Sequence, residues 1–315
     1  MEKLRIVFMG TPEFAVGILD TIIKNHYEVV GVITAADKPA GRGQKLKYSA
    51  VKEYALANNL RLLQPTNLKD ETFLAELQSL NANLQVVVAF RMLPEVVWRM
   101  PKLGTFNLHA SLLPNYRGAA PINWAIINGE TKTGVTTFFI DDKIDTGAMI
   151  LSKEIMIGSE ESAGALHDRL MILGSEAVIE TLALIESGNV TTTIQVDNAD
   201  IKTAYKLNKD NCKIDWHKSA AEIHNLIRGL SPYPAAWCFF KDNGEEWNVK
   251  LYEARVISES HALSVGQIIT TKKEIKVAVK DGFIQILSLQ LPGKKKMASH
   301  ELLNGVSFSE RAQAE

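Results

Sequence analysis

Asn107 and His109 stand two residues apart at what reads as the end of a strand. Side chains alternate faces along a strand, so the two point the same way. One supplies an amide donor, the other an imidazole that gains or loses a proton near neutral pH. A loop of turn residues follows at once, with Ser111, Pro114, Asn115, Gly118 and Pro121, and an acidic run with Asp141, Asp142 and Asp145 comes later. An oxyanion donor, a general acid or base and a carboxylate to orient it are the raw material of acyl-type chemistry. Asp145, just before Gly147, fits the orienting role; Asp141 and Asp142 lie closer to the strand end and compete for it on spacing alone.

The elements that must position these groups alternate in type. Apolar runs at Leu4–Met9, Val29–Thr34, Leu62–Leu63, Val86–Phe90 and Thr105–Leu108 read as strands, followed by Val135–Ile140 and Met149–Ile157. Helical spacing of apolar residues marks Glu13–Lys24, Val51–Asn58, Asp70–Leu80 and the long Ser162–Ser187 segment closed by Gly188. Val86–Phe90 is nearly continuous in β-branched residues, as a strand buried on both faces should be. Strands alternating with helices predict an α/β unit with a mostly parallel sheet wrapped by helices. The pattern changes near residue 190. A helix at Ser219–Leu230 precedes short strand-like runs at Ala236–Phe240, Val249–Ala254, Gly266–Thr270, Ile275–Val279 and Phe283–Leu289, which suggests a small β-barrel. The expected organisation is a domain over residues 1–190, a linker over 191–207 and a second domain over 208–315.

Bulk composition narrows the classes. The chain has 315 residues, 46% hydrophobic and 23% charged, with a net charge of −1, so no overall basicity announces a nucleic-acid partner. A basic patch can still act locally. The two cysteines, Cys212 and Cys238, form no CxxC and have no histidine at ligand spacing, which reads as a reduced, cytoplasmic chain without a metal. The opening apolar run is broken by Gly10 and Pro12, unlike a secretory leader, and no stretch is long enough to span a membrane. Gly10-Thr11-Pro12 sits where a dinucleotide loop would sit, but it is not GxGxxG, so it reads as an ordinary strand-to-helix turn.

Two features look toward anions. The loop from Asp37 to Lys47 carries Lys38, Arg42, Lys45 and Lys47, with Gly41 and Gly43 flanking the arginine. Long loops with no secondary structure in compact domains are often functional, and this one reads as an anion-seeking arm. Lys272, Lys273, Lys276, Lys280 and the run Lys294 to Lys296 make the second domain a candidate basic surface.

Taken together, Asn107-x-His109-x-Ser111-Leu112-Leu113-Pro114 with Asp145 in Asp-Thr-Gly resembles the signature of the folate-dependent formyltransferases. The resemblance runs from Val7 to about Gly305 and is strongest to the branch whose acceptor is methionine carried on initiator tRNA. The segments 39–43, 116–121, 214–216 and 289–297 carry that narrower likeness. It implies a Rossmann-like catalytic domain and an OB-like C-terminal barrel that binds tRNA. It also implies formyl transfer from 10-formyltetrahydrofolate to the methionine amine of initiator Met-tRNA. Both domains read as self-contained, so a monomer is expected. Carried onto matching positions, Asn107, His109 and Asp145 are catalytic. Ser111, Leu112, Leu113 and Pro114 line the folate site, and Arg42, Lys45 and Lys206 touch tRNA. The sequence departs from the family at Phe90-Arg91-Met92, near the expected pterin pocket, and places Tyr116 where tryptophan is common.

Three rivals share part of this pattern. A formyltransferase acting on a small amine would use the same trio but would not need the basic loop or the lysine-rich second domain. A hydrolase that releases formate from the same folate would put water in the place of the amine. A non-catalytic RNA-binding protein on an enzyme scaffold would have no use for an intact Asn, His and Asp set.

Overall fold

The structure, a computed structural model, describes residues 3–40 and 45–315; the side chains of residues 38–40, 45 and 46 lie outside that description. The chain forms two compact units. One comprises Met1–Pro121, Thr133–Ile155 and His167–Thr203, the other Ile122–Lys132, Met156–Leu166 and Ala204–Glu315.

The first unit is built on a seven-stranded sheet. Its spatial order is Met149–Met156, Lys132–Phe139, Thr105–His109, Leu84–Val88, Arg5–Gly10, Glu28–Ile33 and Leu62–Leu63. The five strands from Thr105–His109 to Leu62–Leu63 pair in parallel, and Lys132–Phe139 joins antiparallel to Thr105–His109. Every residue of Leu84–Val88 is buried, because helices cover the sheet on both faces. On one face Val7, Met9 and Val87 pack with Phe73 and Leu77 of the helix Glu71–Ser79. On the other, Leu108 lies against Gly174 of the helix Ala163–Ser187 and near Ile18 of Glu13–Lys24. Removing side chains of this size from water is worth about 1.5–3 kcal/mol each. This is the Rossmann-like arrangement, and its strand order reverses between Arg5–Gly10 and Leu84–Val88. Open parallel sheets bind ligands outside the carboxyl ends of the strands at such a reversal. Gly10 is required there, since a Cβ would lie 2.5 Å from Ala15 Cβ and 3.0 Å from Val88 O.

The second unit carries an antiparallel sheet ordered Ile268–Thr270, Ile275–Val279, Gly282–Gln290, Glu245–Ile257, Ala236–Asp242 and Gln313–Ala314, with Met297–Ala298 paired to Gly282–Gln290. A bridge between Gln267 and Gln313 brings the first and last of these strands together, which closes the sheet toward a barrel. Gly266 makes that closure possible: its φ is +84°, and a Cβ would lie 2.5 Å from Ala314 O. The helix Ala220–Leu230 packs Ile223, Ile227 and Leu230 into this core. A capping box between Ser219 and Glu222 starts it. Among the described residues, no helix is long and apolar enough to cross a membrane.

Differences from the sequence reading are local. Asp70 is not the first helical residue but the N-cap, its carboxylate accepting the Phe73 N–H at 3.0 Å. The Asp37–Lys47 segment is not without secondary structure. Lys38–Ala40 pairs antiparallel with Lys45–Lys47, so its described part is a pair of short strands. Pro121, read as the last residue of a loop, opens the helix Pro121–Ile127.

Candidate active site

The strand Thr105–His109 ends at the carboxyl edge of the sheet. Phe106 and Leu108 face one layer of helices, while Asn107 and His109 share the other face, as the period of two requires. Asn107 sits in register between Val87 and Phe138, half-buried. Among the described residues its side-chain amide has no hydrogen-bond partner, so it remains available to a ligand.

His109 is buried, its side chain 8% exposed. Its Nε2 lies 2.8 Å from the carbonyl oxygen of Tyr116. A carbonyl only accepts, so Nε2 carries a proton and Nδ1 is the nitrogen left for chemistry. Asp145 Oδ2 lies 3.8 Å from that Nδ1. This is close enough for a charge to be felt and too long for a hydrogen bond. The same oxygen accepts the Gly118 N–H at 2.9 Å, which aims the carboxylate. Asp145 adopts φ +54°, a left-handed conformation uncommon outside glycine.

Between Asp141 and Asp145, the loop's own turn separates the two carboxylates. Asp141 accepts the Thr146 hydroxyl at 2.8 and 3.0 Å and the Lys143 N–H at 3.0 Å, so its carboxylate faces its own loop. Asp145 is the acid that reaches His109.

The segment 111–114 begins two residues after His109 and is braced by Thr136. Ser111 is fully buried, its hydroxyl donating to Asn115 O at 2.7 Å. Thr136 Oγ1 donates to Ser111 O at 2.8 Å and accepts the Leu113 N–H at 3.2 Å. Leu112 packs at Gly134, and the Leu113–Pro114 bond is cis. The Thr136 brace and the Tyr116 carbonyl escaped the sequence reading. A lone threonine in a strand and a backbone atom leave no sequence mark.

A shallow depression of about 840 Å³, lined by residues 66–69 and 91–96, opens at the carboxyl ends of Leu62–Leu63 and Leu84–Val88. None of Asn107, His109 and Asp145 lines it. Arg91 sits on this rim, donating to Pro65 O at 2.5 Å and Thr66 O at 2.9 Å, so its guanidinium caps loop carbonyls.

Of the residues expected at tRNA, Arg42 lies outside the described residues. Lys45 is described only through its backbone, which pairs with Ala40. Lys206 belongs to the second unit and is exposed.

Residues 4–182 match the formyl transferase family, and residues 206–307 match the formyl transferase C-terminal domain. A methionyl-tRNA formyltransferase from Flavobacterium johnsoniae is 78% identical over 313 residues, covering 99% of both chains. One from Bacteroides thetaiotaomicron is 54% identical, covering 98% of both. Among solved structures, a sugar 3N-formyl transferase crystallised with dTDP and 5-N-formyl-THF superposes with a TM-score of 0.65 at 23% identity, covering 94% of this chain and all of that one. HypX from Aquifex aeolicus in complex with tetrahydrofolic acid superposes with a TM-score of 0.66 at 18% identity, covering 98% of this chain and 49% of that one. At these identities the two structures speak for the fold alone.

Proposed function

Because the chain belongs to the formyl transferase family, we propose that it transfers the formyl group of 10-formyltetrahydrofolate to the amino group of methionine on initiator Met-tRNA, for translation initiation. The observation that carries the reading is the meeting of Asn107, His109 and Asp145 at the carboxyl end of the sheet, in a chain 78% identical to a methionyl-tRNA formyltransferase over nearly its whole length.

The methionine amine attacks the formyl carbon, forming a C–N bond and a tetrahedral oxyanion. The Asn107 amide and a proton on His109 Nδ1 donate to that oxygen. The intermediate collapses as the bond to N10 of the folate breaks, and the proton lost by the attacking nitrogen goes to N10. Asp145 faces Nδ1 and steers the imidazole through this transfer. Preorganised donors of this kind are worth about 3–4 kcal/mol each. The amine is already a competent nucleophile, so the step needs no covalent enzyme intermediate.

In the same reading the backbone of 111–114 lies along the folate. Arg42, Lys45 and Lys206 meet tRNA phosphates. Residues 1–190 form the catalytic domain and 208–315 the tRNA-binding barrel. The enzyme works as a cytoplasmic monomer. The test is formyl transfer from 10-formyltetrahydrofolate to charged initiator tRNA, with elongator Met-tRNA and a tRNA-free control alongside. Formylation of the initiator only is the expected result. Folate turnover without formylated tRNA would overturn the acceptor and point to hydrolysis or a small amine.

A further inference from the structure

Residues 193–203 run as a strap that ties the loop after His109 to the loop that carries Asp145. Thr193 and Met149 exchange both backbone hydrogen bonds at 2.8 Å. Lys202 donates its N–H to Asn115 Oδ1 at 3.0 Å and accepts the Tyr116 N–H at 2.5 Å. Between these ends lies Gln195, only 8% exposed. Its amide nitrogen donates to Asp145 O and Gly147 O, both at 2.9 Å. Its amide oxygen accepts from Arg117 Nε at 3.0 Å and from a terminal nitrogen of the same guanidinium at 2.8 Å. Asp197 takes the other terminal nitrogen at 2.7 Å. The two donors and two acceptor sites of this buried amide are all used, two on each loop.

We infer that Gln195 is a positioning residue of the transferase: it fixes the Asp145 loop against the Arg117 loop, so that the Asp145 carboxylate receives the Gly118 N–H and faces His109. The inference rests on the formyl-transfer reading. Its physical basis is the backbone of the two loops. Tyr116 has φ +62° and Asp145 φ +54°. Such residues persist only where the surroundings over-determine them. Tyr116 supplies the carbonyl that fixes His109 Nε2, and the strap holds its N–H. Asp145 supplies the carboxylate, and the strap holds its carbonyl. Gln195 therefore sits behind both partners of His109 without touching the imidazole. A glutamine that merely sealed the sheet edge would need neither the link to Arg117 nor the position on the Asp145 carbonyl.

The test uses the full-length enzyme with Gln195→Glu and Gln195→Met, each made in the wild type and in an Asp145→Asn background. Glutamate keeps the acceptor for Arg117 and loses both donors; methionine keeps length and loses every bond. Single-turnover formyl transfer and KM for both substrates are read, with thermal unfolding as a check on each protein. In the wild-type background either substitution should lower kcat roughly tenfold, on the order of one or two ordinary hydrogen bonds, with both KM values within about twofold. In the Asp145→Asn background the same substitutions should lower the rate less than about twofold, because they act through a carboxylate already gone. Equal losses in the two backgrounds, a raised KM with kcat intact, or full activity would each overturn the inference. Should one variant fail to unfold cooperatively, the other carries the comparison. A wild-type enzyme that does not formylate tRNA would instead sink the functional reading itself.

Discussion

Asn107→Ala should separate activity from stability more cleanly than any other change at the site. The side chain is half-buried, sits between Val87 and Phe138, and makes no hydrogen bond among the described residues. Its truncation strands no partner and opens no core cavity, so it should cost less than about 1 kcal/mol. For a chain of this size that is a shift of about 4 °C or less in Tm. If the amide donates to the oxyanion, the same change should lower kcat by about 10²–10³, or roughly 2.7–4 kcal/mol. His109→Ala is the internal contrast. It removes the donor to the Tyr116 carbonyl in a residue 5% exposed. Truncating this buried imidazole removes the hydrogen bond together with its packing, at about 1–3 kcal/mol, so this variant should lose both activity and Tm. The assay is single-turnover formylation at saturating enzyme, run beside thermal denaturation of the same preparations. A rate for Asn107→Ala within about threefold of wild type would refute the oxyanion role. A Tm drop as large as that of His109→Ala would show that the amide is structural.

Three further outcomes can be read with the same preparations. Gly147→Ala places a Cβ 1.6 Å from Phe139 O, an overlap that only backbone movement relieves, so stability should fall by about 3 kcal/mol or more and the Asp145 loop should lose activity with it; a denaturant midpoint unchanged from wild type would contradict the close approach. Burial holds the His224 imidazole below its ordinary range against the opposing pull of Glu160, with Arg228 acting in the same direction as burial, so the folded chain binds this proton less readily than the unfolded one. Stability from this group is full above about pH 6.5 and is lost as pH falls below it, and the Tm decline between about pH 7.5 and about pH 5.5 should shrink in His224→Gln. Arg91→Ala frees the carbonyls of Pro65 and Thr66 at an exposed rim, and should cost about 1 kcal/mol of stability while the KM for folate stays within about threefold; a large rise in that KM would place the guanidinium on the substrate.

How legible the site was in the sequence depended on whether each residue's position follows from a repeat. Asn107 and His109 were placed on one face because a strand has a period of two, and that holds at the observed strand end. The choice of Asp145 over Asp141 was not legible from spacing. It is decided by a left-handed backbone at Asp145 and by an Asx turn at Asp141. Gln195 gave no signal at all: it stands in a Thr-rich stretch with no periodicity, and its partners lie 48 to 78 residues away in the chain. The alternating strands and helices gave away the parallel sheet, because apolar runs buried on both faces are conspicuous. The strand Lys38–Ala40 and the barrel-closing Gln313–Ala314 are too short for any pattern to emerge, and only their partners define them.

The two halves of the site are held by different physics, and this sets where activity should be fragile. Asn107 and His109 are fixed by a sheet whose buried strands, parallel on one side and antiparallel on the other, cannot move without exposing core. Asp145 arrives on a loop whose φ of +54° opposes its placement, by about 1–3 kcal/mol for a strained position. The carboxylate is kept in place by one backbone N–H from Gly118 and by the strap behind it. Global unfolding reports mainly on the sheet and the two cores, while the Asp145 loop can shift by an ångström at little cost to either. At 3.8 Å from Nδ1, such a shift is the difference between a carboxylate that steers the imidazole and one that water screens. Outside the reacting side chains themselves, catalysis in this chain should therefore be most sensitive to substitutions in the connections around residues 116–118, 145–146 and 193–203, where Tm changes least; the tightly packed Gly147 is the exception.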